Sequence, residues 1–263
     1  MYTIRREGGA RDLVLEHGLS GLETEFTRIR NSKLNFHRDL DDREHVMLCA
    51  FTAAAQARTP RSREHHQSQW GRVLDLMDDL HEKMKTATPE QRRNAAAISA
   101  SPTTSGTGFT HEQVKQLHAN PLQTLLRPAI QTITPLLCKL DLAVYVSADD
   151  IGFITSDHPC VWFDPESYRR PPMYRGPALM YDTIEITLPL SPSLCLFLNR
   201  RGISGYIDAH QIVVNELNRR TRFYADEQIV VRKNTLREYW FQQGVEPADS
   251  WNNLHSKKSS SDS

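Results

Sequence analysis

The hydrophobic pattern changes period at Leu142. Before it, apolar side chains recur every three to four positions, the spacing of helices that bury one face. After it, Leu142-Ala143-Val144-Tyr145-Val146 reads as a strand, Ile151 to Thr155 as a second and Cys160 to Phe163 as a third. Ile184, Ile186, Leu188 and Leu190 alternate with Glu185, Thr187 and Pro189, the pattern of a half-buried strand. Leu194 to Leu198 is apolar on both faces, as in a central strand, and Pro189 and Pro192 restrict how these two segments pair. The chain therefore reads as α+β: a helical N-terminal half packed on a small, mainly antiparallel sheet with a C-terminal helix. Its 263 residues are expected to form one domain over 1–255, helical at about 10–140 and sheet-bearing at about 141–243, with a disordered Ser/Lys tail at 256–263.

The helical half divides at its caps and prolines. A helical piece is expected at Ala10 to His17 and a helix at Leu19 to Ser32, with Ser20 as cap and Glu23 three residues on. Asp41 or Asp42 caps the next, whose stripe is Val46, Cys49, Ala50, Ala53, Ala54 and Ala57, and Pro60 stops or bends it. Arg61 to Thr86 is a long helix with Trp70, Val73, Leu74, Met77, Leu80 and Met84 in period, followed by Glu90 to Ser99. Ser101 to Gly108 is a loop by composition, and Thr110 caps a short helix to His118. Pro128 and Pro135 lie inside the apolar face from Leu122 to Leu140, which predicts a kinked helix or two short ones. Later, Asp164 to Ala178 reads as a surface loop, Asp208 as the cap of a helix to about Tyr224, Gln228 to Val231 as a strand and Leu236 to Gln243 as a last helix. Trp70, Leu74, Leu126, Ile130, Leu196 and Leu198 are expected to be buried.

Composition removes several function classes. With 32 basic and 32 acidic side chains there is no overall basic field for nucleic acid. Cys49, Cys138, Cys160 and Cys195 stand singly, which fits a reducing cytoplasm better than a disulfide framework. No apolar run has the length of a membrane span, and Met1 to Arg11 lacks the apolar stretch of a secretory signal. Nucleophile-elbow, P-loop, dinucleotide-binding and zinc-protease patterns are missing from the sequence.

Two stretches carry candidate chemistry. Thr155-Ser156-Asp157-His158-Pro159 puts small polar residues at the end of an apolar segment. Asp157 there suits a general base or metal ligand, and His158 a proton carrier. The competing account, which is preferred, is a turn in which the Asp157 carboxylate accepts N–H groups of its own corner. Arg58, Arg61 and His65 recur at helical spacing and suit a phosphate or carboxylate, although a solvated basic face is the preferred account. Arg200, Arg201, Arg219, Arg220 and Arg222 make a weak second basic region, and Asn215 and Asn218 read as a buried pair tying a helix to the sheet. Cys160 and His158 are placed to share one face, which leaves a thiol–imidazole pair conceivable.

Three segments resemble the bacterial and fungal family known as domain of unknown function 4238. They are Gln56-Ala57-Arg58-Thr59-Pro60; Phe153-Ile154-Thr155-Ser156-Asp157-His158-Pro159 with Ile184 to Pro192 after it; and Val214-Asn215-Glu216-Leu217-Asn218. Together they span roughly Leu19 to Val231. Members of that family usually begin with a His/Tyr/Pro-rich segment, and none precedes Gly18 here, so the resemblance implies a shortened, inactive or differently specialised relative. The family implies no activity. Two classes stay open: a non-catalytic binding or regulatory module for an anionic small molecule, nucleic acid or protein partner, which is favoured, and a hydrolase or nuclease-like enzyme acting on a phosphorylated substrate. In the first, Arg58, Arg61, His65 and Ser156 bind; in the second, Asp157 and His158 are catalytic. The residues name no cofactor, metal or membrane partner.

Overall fold

The computed structural model describes residues 4–5, 11–99, 108–232 and 236–241. Two two-residue strands, β1 (Ile4–Arg5) and β2 (Arg11–Asp12), pair antiparallel ahead of α1 (Val14–Ser32). The two helical pieces expected before Ser32 are one helix. Ser20 lies inside it, where its carbonyl accepts from the Thr24 hydroxyl, so Ser20 is not a cap.

α2 (Asp42–Ala57) is the axis of the helical half. Asp41 caps it through a reciprocal box with Glu44, and buried Glu44 meets Arg28 at 3.2 Å and Lys33 at 3.6 Å. Leu48, Cys49, Thr52 and Ala53 are fully buried, whereas Val46 is exposed. The buried face is therefore wider than the expected stripe and turned away from Val46. Its small side chains let α6 (Pro121–Leu137) pack closely across it. Pro128 and Pro135 are carried within α6, which stays one helix; Leu126 is buried and Ile130 only half-buried.

α3 (Pro60–Thr86) departs most from expectation. Thr59 caps it and Pro60 is its first residue, a favoured place for proline, yet it has no buried residue. Trp70 and Leu74 are half-buried. The cause is that α3 is packed chiefly along one side, by α5 (His111–Ala119). His111 bonds Asp78 at 2.6 Å, His118 bonds the Gln67 carbonyl at 3.0 Å, and Phe109 stands edge-on to Trp70. The far side, with Leu76 and Leu80, faces solvent. α4 (Pro89–Ser99) follows α3; residues 101–107 of the expected loop lie outside the described residues.

Among the described residues the main sheet has the order β5-β6-β7-β3-β8. These are β3 (Asp141–Val146), β5 (Val161–Phe163), β6 (Glu185–Ser191), β7 (Leu194–Asn199) and β8 (Gly205–Asp208). All pairs are antiparallel except β3–β8. The α+β class and mainly antiparallel sheet are as expected, but β8 has no apolar pattern and went unread. Every residue of β7 is buried, and burial of Leu196, Phe197 and Leu198 stabilises by about 1.5–3 kcal/mol each.

One sheet face packs an apolar cluster of Val144, Leu188, Leu196 and Leu198 against α1, α2 and α6. The other lies under α7 (Gln211–Tyr224), where Tyr145, Cys195 and Phe197 meet Val213, Val214 and Leu217. β6 is thus covered on both faces rather than half-buried. His210, not Asp208, stands at the N-cap of α7, because Asp208 ends β8. Ile151 to Ile154 is not a strand. Gly152 has φ 71°, and a Cβ there would lie 1.9 Å from the Pro192 carbonyl oxygen, so only glycine fits; Phe153 N–H then donates to that oxygen. Only β4 (Thr155–Ser156) pairs beyond it, with β9 (Ile229–Val230). The last described turn, Glu238–Phe241, is a 3-10 turn that buries Trp240; residues 242 and 243 of the expected helix lie outside the described residues.

Candidate functional site

The corner after β4 is held by its own polar residues. Ser156 Oγ accepts from His158 N–H at 3.1 Å. The Asp157 carboxylate accepts three backbone N–H groups, from Asp226 at 3.0 Å, Glu227 at 2.7 Å and Gln228 at 3.1 Å. Its own N–H donates to the Gln228 carbonyl. Asp157 therefore clamps the turn between α7 and β9, with partners 69 to 71 residues along the chain rather than in its own corner. Burial raises its carboxyl, but these N–H groups outweigh burial and hold it below the usual carboxylate range.

His158 is 6% exposed, and its Nδ1 is buried without a hydrogen-bond partner. Its ring lies 6.1 Å from that of Tyr224. Burial lowers its pKa; Asp226 and Asp157 oppose the shift and the charge of Arg61 adds to it. The same guanidinium bears on Tyr224, whose hydroxyl burial pushes up. The charge at the start of α3 therefore reaches the corner, and the two candidate stretches of the sequence interact electrostatically. Among the described residues Arg61 has no carboxylate partner.

The other predicted members separate. Arg58 caps the C-terminus of α2 and pairs with Glu23 of α1 at 2.6 Å, because Pro60 restarts the helix and takes Arg58 off the helix of Arg61. His65 is exposed on α3 with its ring edge-on to His66. Gln56, in the first motif, buries its side-chain oxygen without a partner. Cys160 is fully buried, which pushes its thiol up to about 12, and no described contact joins it to His158.

Sequence reasoning missed the most buried polar constellation. Arg220 donates to Glu185 at 2.6 Å and to Glu216 at 2.9 Å, and lies 3.8 Å over the Phe163 ring. Arg219 grips Glu216 with two bonds of 2.7 and 2.9 Å, and Arg201 reaches Glu185 at 3.6 Å. Burial raises the Glu216 carboxyl, but Arg219 and Arg220 more than reverse it. Arg219 and Arg220 are thus part of the interior, not of a basic surface. The available signal was the spacing of Glu216, Arg219 and Arg220 on the helical face that also carries Val213 and Leu217.

Asn218 donates to the Gly152 carbonyl at 2.8 Å and accepts from Ile154 N–H, while Asn215 accepts from Arg237 and Trp240. The two amides tie α7 to the segment before β4 and to the final turn. Among the described residues no group of three His, Cys, Asp or Glu side chains is placed to hold a metal, and no helix is long and apolar enough to cross a membrane.

No curated protein and no solved structure gives a significant match. One family does match, over residues 1–235, a range that includes the Gln56–Pro60, Phe153–Pro159 and Val214–Asn218 motifs. The chain belongs to the family described as protein of unknown function (DUF4238).

Proposed function

We propose that the chain is a binding or regulatory module for an anionic ligand or partner, with Arg61 and His158 at the site. The observation that carries this reading is the triple N–H clamp on Asp157. It gives the corner's carboxylate a structural occupation, while Arg61, whose charge bears on His158, has no carboxylate partner among the described residues. An anion beside Arg61 would also favour the protonated form of His158, so binding should take up a proton. The buried side-chain oxygen of Gln56 and Nδ1 of His158 are further unpartnered groups within the two motifs. Ser156 is engaged in the turn, and Arg58 and His65 stand apart. Four free cysteines support a cytoplasmic setting.

The test is calorimetry and thermal unfolding with inorganic phosphate, sulfate, AMP and ATP. Saturable binding should be lost in Arg61→Ala and kept in Arg58→Ala, whose native partner is Glu23. Absence of binding by all four anions, or binding indifferent to Arg61→Ala, overturns the reading. The alternative is a hydrolase acting on a phosphorylated substrate, supported by the neutral state that burial imposes on His158. Turnover of p-nitrophenyl phosphate or single-stranded DNA, lost in His158→Gln, would favour it instead.

A further inference from the structure

We propose that a groove between α1, α2 and α6 binds a free straight-chain carboxylate of the fatty-acid type, its tail along α1 and its head on Arg127. The groove has a volume of 610 Å³, within the range of small-molecule sites. Its walls are chemically unlike. Leu15, Leu19 and Leu22 of α1 form an apolar side, and Met47 and Ala50 of α2 the floor. Opposite them, Gln123, Arg127 and Gln131 recur every fourth residue on α6, a polar ridge about 12 Å long. Gly18 keeps the channel open: no atom lies within 4 Å of the place a Cβ would take.

Charge selects the occupant. Arg127 is the one charged residue of the lining, which holds no carboxylate, and among the described residues it has no ion-pair partner. An apolar tail with a single terminal carboxylate satisfies both walls at once. A second copy of the chain does not, because a two-fold contact through this groove would set one Arg127 against the other. The site is separate from Arg61 and His158, and its chemistry does not depend on theirs.

The test is titration of the full chain, labelled at its methionine methyl groups, with sodium dodecanoate below its micellar concentration. Met47 lines the groove, while Met173 and Met180 are 82% and 78% exposed and report detergent-like adsorption. A saturable one-to-one shift of the Met47 methyl is expected, with Met173 and Met180 unmoved. Arg127→Gln should weaken dodecanoate by about tenfold or more and leave 1-dodecanol unchanged. Gly18→Leu fills open space in a helix and should fold, yet abolish binding of both. Several results would overturn the proposal: no saturation at Met47, equal shifts at all three methyls, or binding indifferent to both substitutions. Two more would do so by naming another occupant: a dimer that Gly18→Leu dissociates, or attachment to phosphatidylglycerol vesicles without a response to dodecanoate. An Arg61→Ala chain should bind dodecanoate normally, so failure here and failure of the anion site are distinguishable.

Discussion

Replacing Arg220 by methionine keeps a flexible unbranched side chain, though a shorter one, and removes its charge from the interior. Glu185, fully buried, then loses its 2.6 Å partner, while Arg201 reaches it at 3.6 Å from a side chain 24% exposed. Glu216 keeps Arg219. Breaking a buried pair from one side costs about 3–5 kcal/mol, because the remaining charge stays desolvated. Glu185→Gln should cost less, about 1.5–3 kcal/mol, since Arg220 still holds Glu216 at 2.9 Å. The double variant has no unpaired buried charge at this point, so its loss should fall short of the sum by about 1–3 kcal/mol. Urea unfolding followed by near- and far-ultraviolet circular dichroism gives the four stabilities and tests for a single transition. High salt should change the losses little, because buried pairs are weakly screened. A loss below about 1 kcal/mol for Arg220→Met, or strict additivity of the two single changes, would refute the reasoning.

Asp157→Ala removes the acceptor of three N–H groups and should cost about 1–2 kcal/mol in thermal unfolding, Asp157→Asn less; equal losses would show that the clamp is not the source. His158 has a folded pKa below its ordinary 6.5, so the unfolded chain takes the proton first. Its contribution is present above about 6.5 and is lost as pH falls through the lower folded value, and His158→Gln should flatten stability against pH in that window; an unchanged slope counts against it. Leu196→Ala in the central strand should cost about 2–5 kcal/mol, and a loss under about 1 kcal/mol would contradict the central position.

The parts of the fold that were legible are those set by local pattern. The change of period at Leu142 marks the passage from helices to sheet, and Asp41 and Thr110 cap helices as short-range chemistry requires. Periodicity reports which face of a helix is apolar and says nothing of what covers it, which is why Trp70 and Leu74 were misjudged. Gly152 is explained by Pro192, and Glu185 by Arg220, partners that no local window contains. The corner around Asp157 was visible as a motif, but its clamp depends on a turn 69 to 71 residues later. Arg61 was visible as a cation, and its electrostatic influence on His158 only in the folded chain. The ionic constellation was hidden because Arg219 and Arg220 read as part of a basic region, while Glu185, the strand partner of Arg220, lies 35 residues away in the chain.

The sheet separates two unlike solvents. On the α2 and α6 side it meets a mainly hydrocarbon core, whose cohesion weakens on cooling, with the buried carboxylate of Glu44 held by Arg28 and Lys33 in the helices behind it. On the α7 side the same strands meet carboxylates and guanidiniums: Arg220 ties α7 to Glu185 of β6 and also holds Glu216, so acid that protonates Glu216 below its depressed pKa weakens the grouping that positions Arg220. Acid and cold therefore loosen opposite sides of one sheet. In acid, α7 should lose amide protection first while the helices behind the sheet keep theirs; in the cold the order should reverse.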